Sequence, residues 1–244
     1  MSLRTLVSRA GLLEEVLHSG ASDLNTALLG TSPCRRFTEC YAPGFELVNP
    51  NARVALVGYT PGRSQGDKAW DALNQTPSTL HSLKRLEISH KASAFSGLRE
   101  RIDKMADHSG LLRHLTLESL SDSSDVIMTS RWVFPIFENG RNYTISPKAY
   151  QNGSWLMKRC SQHLNDIFET CSSIQAAIFL GDGMSAMKAL KAHQQLGDIP
   201  SHIEVYTLPH PSGANNGRIS KFLGHSQSLE SIRSSHPLSR RLGT

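Results

Sequence analysis

The sequence lacks any long hydrophobic run, which excludes a helix that spans a membrane. No apolar segment approaches the roughly 20 residues that such a helix needs. A signal peptide is not expected either, because the apolar residues near the N-terminus alternate with Arg4, Arg9 and Glu14, as in an amphipathic helix. We therefore expect a cytoplasmic protein that does not contact a membrane.

Motifs for metals and nucleotides are missing as well. The eleven histidines form no HxH or HExxH arrangement, and the loop Gly58–Gly66 contains neither GxGxxG nor GxxxxGK[ST]. No CxxC pair occurs among the four cysteines, Cys34, Cys40, Cys160 and Cys171. Reduced or buried thiols are the favoured interpretation of these cysteines, and an iron–sulphur site built from distant pairs is the alternative. The sequence therefore predicts no metal and no cofactor.

What the sequence has is a moderate positive charge and enough apolar residues for a core. Its 244 residues carry a net charge of +5, and 39% of them are hydrophobic. This length fits one α/β domain better than two small ones. A polyanionic partner such as DNA is compatible with the charge, because neutralised phosphates release counterions, but +5 alone does not decide for nucleic acid.

Four short apolar runs predict strands that are buried on both faces, as in a parallel sheet. They are Arg53–Gly58, Asp125–Thr129, Gln175–Gly181 and Ile203–Leu208. Segments with helical spacing lie between them: Leu98–Ala106, Lys148–Phe168 and Asp182–Ala192. This alternation predicts an α/β fold, a three-layer α/β/α sandwich around a central four-stranded parallel sheet.

The flanks of this core are expected to differ from it, within a single domain over residues 1–244. Residues 1–50 are predicted as a lead-in with helices at Leu3–Leu17 and Leu24–Leu29, followed by an irregular stretch at Cys34–Pro50 that is rich in proline. Residues 51–224 form the predicted α/β core. Residues 225–244 are predicted to form a closing helix and a frayed end.

Ligands of open α/β sheets bind at the carboxyl ends of the strands. This rule selects the loops Tyr59–Gly66, Ser130–Phe134, Asp182–Met184 and His210–Gly217. In the first loop a tight turn at Pro61-Gly62 places Thr60 at the floor of a pocket, although an ordinary strand-to-helix connection has a similar composition.

The last loop is the more specific of the four. Pro209 and Pro211 restrict the backbone on both sides of His210, so that the direction of the imidazole is set in advance. Ser212 and the small residues after it permit close approach to a phosphate. We therefore favour a functional histidine over a structural one.

Together, GYTPG at residues 58–62 and HPSGAN at residues 210–215 resemble the uracil-DNA glycosylase superfamily. Its members have Gly-x-[Asp/Asn/Ala]-Pro-[Tyr/Gly/Ala] after the first strand and His/Asn-Pro-Ser after the last. The segments Ala94–Gly97 and Gln175–Leu190 are similar to those of the iron–sulphur branch. The similarity extends from Asn51 to Gly224.

The resemblance implies an enzyme that flips a pyrimidine out of DNA and hydrolyses its N-glycosidic bond, leaving an abasic site. His210 would stabilise the negative charge that develops on the base. Thr60 or Asp67 would position the water, and the alternative for Asp67 is that it caps a helix beginning near it. The base would be contacted by Tyr59, Phe95 and Ser130, and the alternative for Phe95 is a phenylalanine of the core.

The resemblance also implies a monomer whose partner is DNA. The segment Ala214–Asn216 would enter the gap left by the base, and Arg218 and Lys221 would hold phosphates unless they form only a solvated helix face. The full set of predicted DNA contacts is Pro61, Gly62, Ser212, Gly213, Ala214, Asn215, Asn216, Arg218 and Lys221.

Of three departures from the family pattern, two argue against plain uracil as the substrate. Thr60 occupies the usual place of a water-orienting Asp or Asn, and Ser130 that of a uracil-reading Asn. The third departure is that the segment Arg131–Phe134 lacks the cysteine of the iron–sulphur branch, which argues against an iron–sulphur cluster. The changes at Thr60 and Ser130 favour a bulky modified cytosine, such as glucosylated hydroxymethylcytosine in phage DNA, and hence a role in antiviral defence. The alternatives are a conventional uracil or mismatch repair glycosylase and a catalytically inactive DNA-binding module.

Overall fold

The computed structural model describes residues 4–5, 11–144 and 154–234. The strands are β1 Arg4–Thr5, β2 Leu28–Thr31, β3 Phe37–Cys40, β4 Leu47–Val48, β5 Val54–Gly58, β6 Val126–Ser130, β7 Ile136–Glu138, β8 Arg141–Asn142, β9 Ala176–Leu180 and β10 Glu204–Leu208. The helices are α1 Leu12–His18, α2 Arg63–Gln75, α3 Ser82–Ser93, α4 Arg99–His108, α5 Leu111–Leu115, α6 Trp155–Thr170, α7 Met184–Leu196, α8 Asn216–Gly224 and α9 Leu229–Ile232. None of these helices is long and apolar enough to cross a membrane.

The central sheet is parallel and has four strands in the order β10-β9-β5-β6. All four predicted strands are confirmed. Alternate residues of each strand enter different cores, because successive side chains of a strand point to opposite faces. Ala55 and Val57 pack on one face with residues of α6 and α7, whereas Val54 and Leu56 pack on the other with residues of α4 and α8. These two cores make the predicted three-layer sandwich.

The predicted helices that flank the sheet are confirmed. The segments Leu98–Ala106 and Asp182–Ala192 correspond to α4 and α7. Within Lys148–Phe168 the structure has α6, where Ser154 Oγ accepts a hydrogen bond from Met157 N at 3.1 Å and caps the first turn; residues 148–153 lie outside the described residues. The predicted closing helix is the short α9, and residues 235–244 lie outside the described part of the chain.

The lead-in differs from the prediction. The helix predicted at Leu24–Leu29 is wrong, because Asp23 Oδ1 accepts hydrogen bonds from Asn25 N and Thr26 N at 2.9 Å, which closes a turn, and β2 follows it. The irregular stretch predicted at Cys34–Pro50 contains β3 and β4. A second, antiparallel sheet, in the order β2-β3-β7-β8, therefore joins the lead-in to residues 136–142.

The helix predicted at Leu3–Leu17 is shorter than expected. It begins at Leu12, after Gly11 in the left-handed region at φ 86°. Arg4–Thr5 pair with β4 as the strand β1, and residues 6–10 lie outside the described residues. The amphipathic pattern identified the helix but not the turn that precedes it.

Candidate active site

Main-chain hydrogen bonds continue the central sheet beyond its strands and bring the predicted loops together. Arg131 N donates to Gly58 O, and Trp132 N donates to Tyr59 O, both at 3.0 Å. Gly181 N donates to Leu208 O at 2.6 Å. The residues that follow β5 and β6 are thereby held side by side, as are those that follow β9 and β10.

His210 is half-buried and lies against Tyr59, with the two rings nearly parallel at an interplanar angle of 6° and 5.4 Å between their centroids. Ser212 N donates to His210 Nδ1 at 3.3 Å. Burial lowers the pKa of His210, so that the imidazole is neutral at pH 7. Because Nδ1 accepts a hydrogen bond, the single proton of the neutral ring is on Nε2. The ring therefore offers an Nε2–H donor.

The backbone after His210 is fixed by side chains. Asn215 Nδ2 donates to Ser212 Oγ at 2.9 Å. Arg101 Nη1, on α4, donates to Pro211 O at 3.2 Å and to Asn216 Oδ1 at 3.1 Å. Sequence reasoning missed Arg101, because no local pattern signals a contact with a loop so far along the chain.

Tyr59 is held by the loop after β9. A Cβ added to Gly181 would lie 2.1 Å from Tyr59 Oη, and Gly181 has φ +118°. Burial raises the pKa of Tyr59, and the guanidinium of Arg131 opposes that rise. Tyr59 is therefore a protonated phenol packed on the backbone of Gly181, beside His210.

Phe95 and Ser130 meet at the end of β5. A Cβ on Gly58 would lie 3.1 Å from both Phe95 Cε1 and Ser130 Oγ, so that a side chain there would press on both of them. Phe95 also belongs to the core beneath, and its backbone, at φ 50°, is held by a 3.0 Å hydrogen bond from Phe95 N to Gln65 Oε1. Ser130 Oγ has no hydrogen-bond partner among the described residues. The predicted base contacts Phe95 and Ser130 thus lie together at the carboxyl end of β5.

Thr60 and Asp67 have different surroundings. Thr60 Oγ1 donates to Phe134 O and accepts from Ile136 N, both at 3.0 Å, so that the hydroxyl connects the first loop to the segment before β7. One lone pair of Thr60 Oγ1 is not used by these two bonds. Asp67 is exposed within α2. The alternative that it caps the helix is wrong, because the helix begins at Arg63, with Gly62 in the N-cap position.

The rim of this site carries both signs of charge. Arg218 Nη1, on α8, pairs with Asp182 Oδ1 at 2.9 Å, and both side chains are exposed. Lys221, Gly213, Ala214 and Asn216 are exposed. Two other predicted DNA contacts are less open: Pro61 is buried, and Gly62 is half-buried beside Asn142.

Arg131 is a further residue of this edge; it lies in the loop Ser130–Phe134 that the sequence selected, but sequence reasoning gave it no role. It is fully buried, and its Cζ lies 5.2 Å from the centroid of the Tyr59 ring. A charged residue after a buried strand was the only signal in the sequence, and it was interpreted only as the absence of a cysteine.

The cysteines do not form a cluster. Cys34 is exposed and the other three are buried. Cys160 Sγ lies 3.1 Å from His193 Nε2. Among the described residues, no group of three or more His, Cys, Asp or Glu side chains is arranged to hold a metal ion.

The fold and this edge define an α/β protein with a neutral histidine donor at the end of its last parallel strand. In agreement with this description, residues 45–228 match the model of the uracil DNA glycosylase superfamily. The chain therefore belongs to the uracil-DNA glycosylase superfamily, and this membership indicates a DNA glycosylase. It is also similar to the uncharacterized protein YoxB of Bacillus subtilis (strain 168), with 27% identity over 239 residues that cover 92% of this chain and 93% of the relative.

Proposed function

We propose that this protein flips a bulky modified cytosine out of DNA and hydrolyses its N-glycosidic bond, leaving an abasic site. The observation that carries the proposal is His210, a half-buried neutral imidazole with its proton on Nε2. When the bond between the sugar and the base breaks, its electrons move onto the base. A preoriented N–H donor stabilises that charge as it develops and costs no reorganisation at the moment of reaction.

The water that attacks the sugar requires a second group. The remaining lone pair of Thr60 Oγ1 supports a role in water placement, since its other bonds hold the oxygen in place. Thr60 carries no charge, so that it orients water without stabilising the cationic sugar as a carboxylate does. Asp67 is the alternative group for this step.

The modified base is proposed from Ser130. Its side chain is shorter than that of an asparagine, and its Oγ has no hydrogen-bond partner among the described residues, which leaves it able to bind a substituent of the base. Phe95, on the other side of Gly58, would stack on the ring of the base. The shorter side chain at position 130 favours a larger base than uracil, such as glucosylated hydroxymethylcytosine in phage DNA, and the enzyme would then act in antiviral defence.

DNA binding is proposed at the loop before α8. Gly213 and Ala214 are exposed, with a 3-10 turn at Gly213–Asn215 leading into the helix. Backbone N–H groups at the start of a helix attract phosphate, and Lys221 adds a positive charge. Ala214 is the open residue of the segment that would enter the gap left by the base, because Asn215 and Asn216 hold the loop. One protein molecule would suffice for these contacts.

The test is an abasic-site assay on duplex oligonucleotides that contain uracil, a T·G mismatch, hydroxymethylcytosine or glucosylated hydroxymethylcytosine. We expect alkali-labile sites from the glucosylated base and a loss of about 100- to 1,000-fold in kcat for His210→Ala. The control is His202→Ala, since His202 is exposed in the loop before β10, at the opposite end of the sheet.

Each outcome separates the candidate functions. Cleavage of uracil alone would identify a conventional repair glycosylase and refute the modified-base proposal. Equal rates for the wild type and His210→Ala would refute the role of His210. DNA binding without release of any base would identify a binding module.

A further inference from the structure

Arg131 presents a charge that the described fold does not neutralise. The side chain is fully buried, and Arg131 Nη1 makes only one long hydrogen bond, to Ala186 O at 3.4 Å. Nε and Nη2 have no hydrogen-bond partner among the described residues. A buried cation without polar partners is costly, and such groups are rare in folded proteins. The position of Arg131 therefore needs an explanation other than stability.

The carboxylates of this region are engaged elsewhere. Asp182 pairs with Arg218. Asp198 Oδ2 accepts hydrogen bonds from His193 Nδ1 at 2.5 Å and from Ser161 Oγ at 2.6 Å. Among the described residues, no salt bridge includes Arg131. The guanidinium of Arg131 thus lies beside aromatic rings and not beside a carboxylate.

One of the two aromatic rings beside the Arg131 guanidinium, that of Tyr59, belongs to the candidate active site. The Cζ atom of Arg131 lies 5.2 Å from the centroid of Tyr59 and 5.1 Å from that of Phe179. A guanidinium at this distance from an aromatic ring is attracted to its electrons. Since the Tyr59 ring also packs on His210, one ring contacts both the buried cation and the proposed donor.

We propose that Arg131 is a positioning residue of the glycosylase reaction, which holds Tyr59 against His210 and provides positive potential where the base leaves as an anion. This inference rests on the proposed function. The intact base is neutral and the departing base is negative, so that a fixed positive charge stabilises the transition state more than the bound substrate. In a buried, weakly polar environment, such a charge acts over several ångströms.

A purely structural role and a functional role of Arg131 predict opposite changes in Tm when the residue is replaced. If Arg131 only held the fold, its removal would lower the Tm. If it is retained for function, an apolar residue of similar length would leave the Tm unchanged or raise it, since the uncompensated charge disappears. Arg131→Met tests this, because a methionine side chain can still pack on Tyr59 and Phe179.

The expected result for Arg131→Met is a Tm at or above that of the wild type together with a loss of about 10- to 100-fold in single-turnover kcat. The Kd for DNA should stay within about threefold, because a fully buried cation makes no phosphate contact. Arg131→Lys keeps the charge but not the planar stack, and it should recover about tenfold of the lost rate.

The matched control is Arg53→Met. Arg53 directly precedes β5, at the amino end of the same sheet, and its Nη2 pairs with Asp125 Oδ2 at 2.7 Å. This variant also removes one positive charge, but at the amino end of the strands, and it should retain the wild-type kcat. An equal loss of rate in Arg53→Met and Arg131→Met would show that net charge, and not the position of Arg131, is responsible.

A readout independent of activity is the ionisation of Tyr59, followed by NMR of ¹³C-labelled tyrosine and assigned with Tyr59→Phe. Arg131 lowers the pKa of Tyr59 against the effect of burial, so that Arg131→Met should shift this titration to higher pH. Asp182 and Arg218, the other charged groups that act on Tyr59, are unchanged in the variant.

The inference is overturned if Arg131→Met keeps the wild-type kcat, if its Tm falls in parallel with its rate, or if the Tyr59 titration does not move. A wild-type protein that releases no base from any substrate would refute the proposed function. In that case the Tyr59 titration would still decide whether Arg131 is coupled to Tyr59.

Discussion

A single glycine controls where the Tyr59 ring lies. Gly181 has a φ of +118°, which residues with a side chain rarely adopt. A Cβ added to Gly181 would also lie only 2.1 Å from Tyr59 Oη. Gly181→Ala should therefore displace the ring from His210 and lower the excision rate by about tenfold or more, since small misplacements of a catalytic group are costly. Single-turnover excision would measure this loss.

The control for backbone strain is Gly197→Ala. Gly197 also has a positive φ, of +81°, but no atom lies within 4 Å of its added Cβ. Both variants should lose stability, whereas only Gly181→Ala should lose activity beyond the change in folded fraction. Full activity in Gly181→Ala would show that the position of Tyr59 does not matter for the reaction.

Residue by residue, sequence reasoning selected the candidate site residues from local patterns. The flanking prolines identified His210, and its tautomer followed only from the hydrogen bond that Ser212 N donates to it. Thr60 was selected for its place in a motif, but its bonds to Phe134 and Ile136 show that it also connects two segments of the chain. Such partners lie too far away in sequence for a local pattern to reveal them.

At the scale of elements, α4 stabilises the loop that precedes α8. Arg101 connects them through its bonds to Pro211 O and Asn216 Oδ1. Arg101→Ala should loosen this loop, lower the single-turnover rate by about tenfold and speed hydrogen exchange at the amides of Ser212 and Asn215. The exchange measurement reports on the loop whether or not a substrate is known.

Lys104→Ala is the matched control for this prediction. Lys104 lies one turn further along α4 and is exposed, and it makes no hydrogen bond to the loop among the described residues. It removes the same charge from the same helix. If both variants exchange and react alike, then charge, and not the bond to the loop, explains the effect.

The elements also show which patterns were informative. Strands that are apolar on both faces identify a buried parallel sheet, and all four were confirmed. The segment Leu24–Leu29 was assigned to a helix, although a helix and an edge strand look alike at that length. Pairing of β2 with β3, and of β3 with β7 from a distant part of the chain, decided between them.

At the scale of the whole molecule, acid should unfold the protein partly through His90. Burial lowers the pKa of His90 to about 4 from 6.5, and His90 Nε2 donates to Met128 O at 3.2 Å. Between these pH values the unfolded chain binds a proton at this residue and the folded chain does not, so that stability falls as the pH drops from about 6.5 towards 4. This histidine should account for about 2–3 kcal/mol of that loss.

His90→Gln should therefore flatten the dependence of unfolding free energy on pH, as measured by urea denaturation between pH 7 and 4.5. A glutamine can still donate to Met128 O but does not titrate. His202→Gln, at an exposed position, should keep the wild-type dependence. A variant His90→Gln with the same acid sensitivity as the wild type would show that other groups dominate the unfolding.

The sequence by itself determined the sandwich, and it predicted both the end of the sheet and the histidine for which we propose the chemistry. These features depend on local patterns, namely the period of apolar residues and the prolines around His210. The tertiary structure alone decided the proton position on that histidine, the antiparallel sheet at the N-terminal side and the contact of Arg131 with Tyr59. The sheet and the contact of Arg131 with Tyr59 arise where segments distant in sequence pack together, and the proton position on His210 depends on the loop backbone that places Ser212 N against Nδ1. None of these contacts leaves a periodic signal in the sequence.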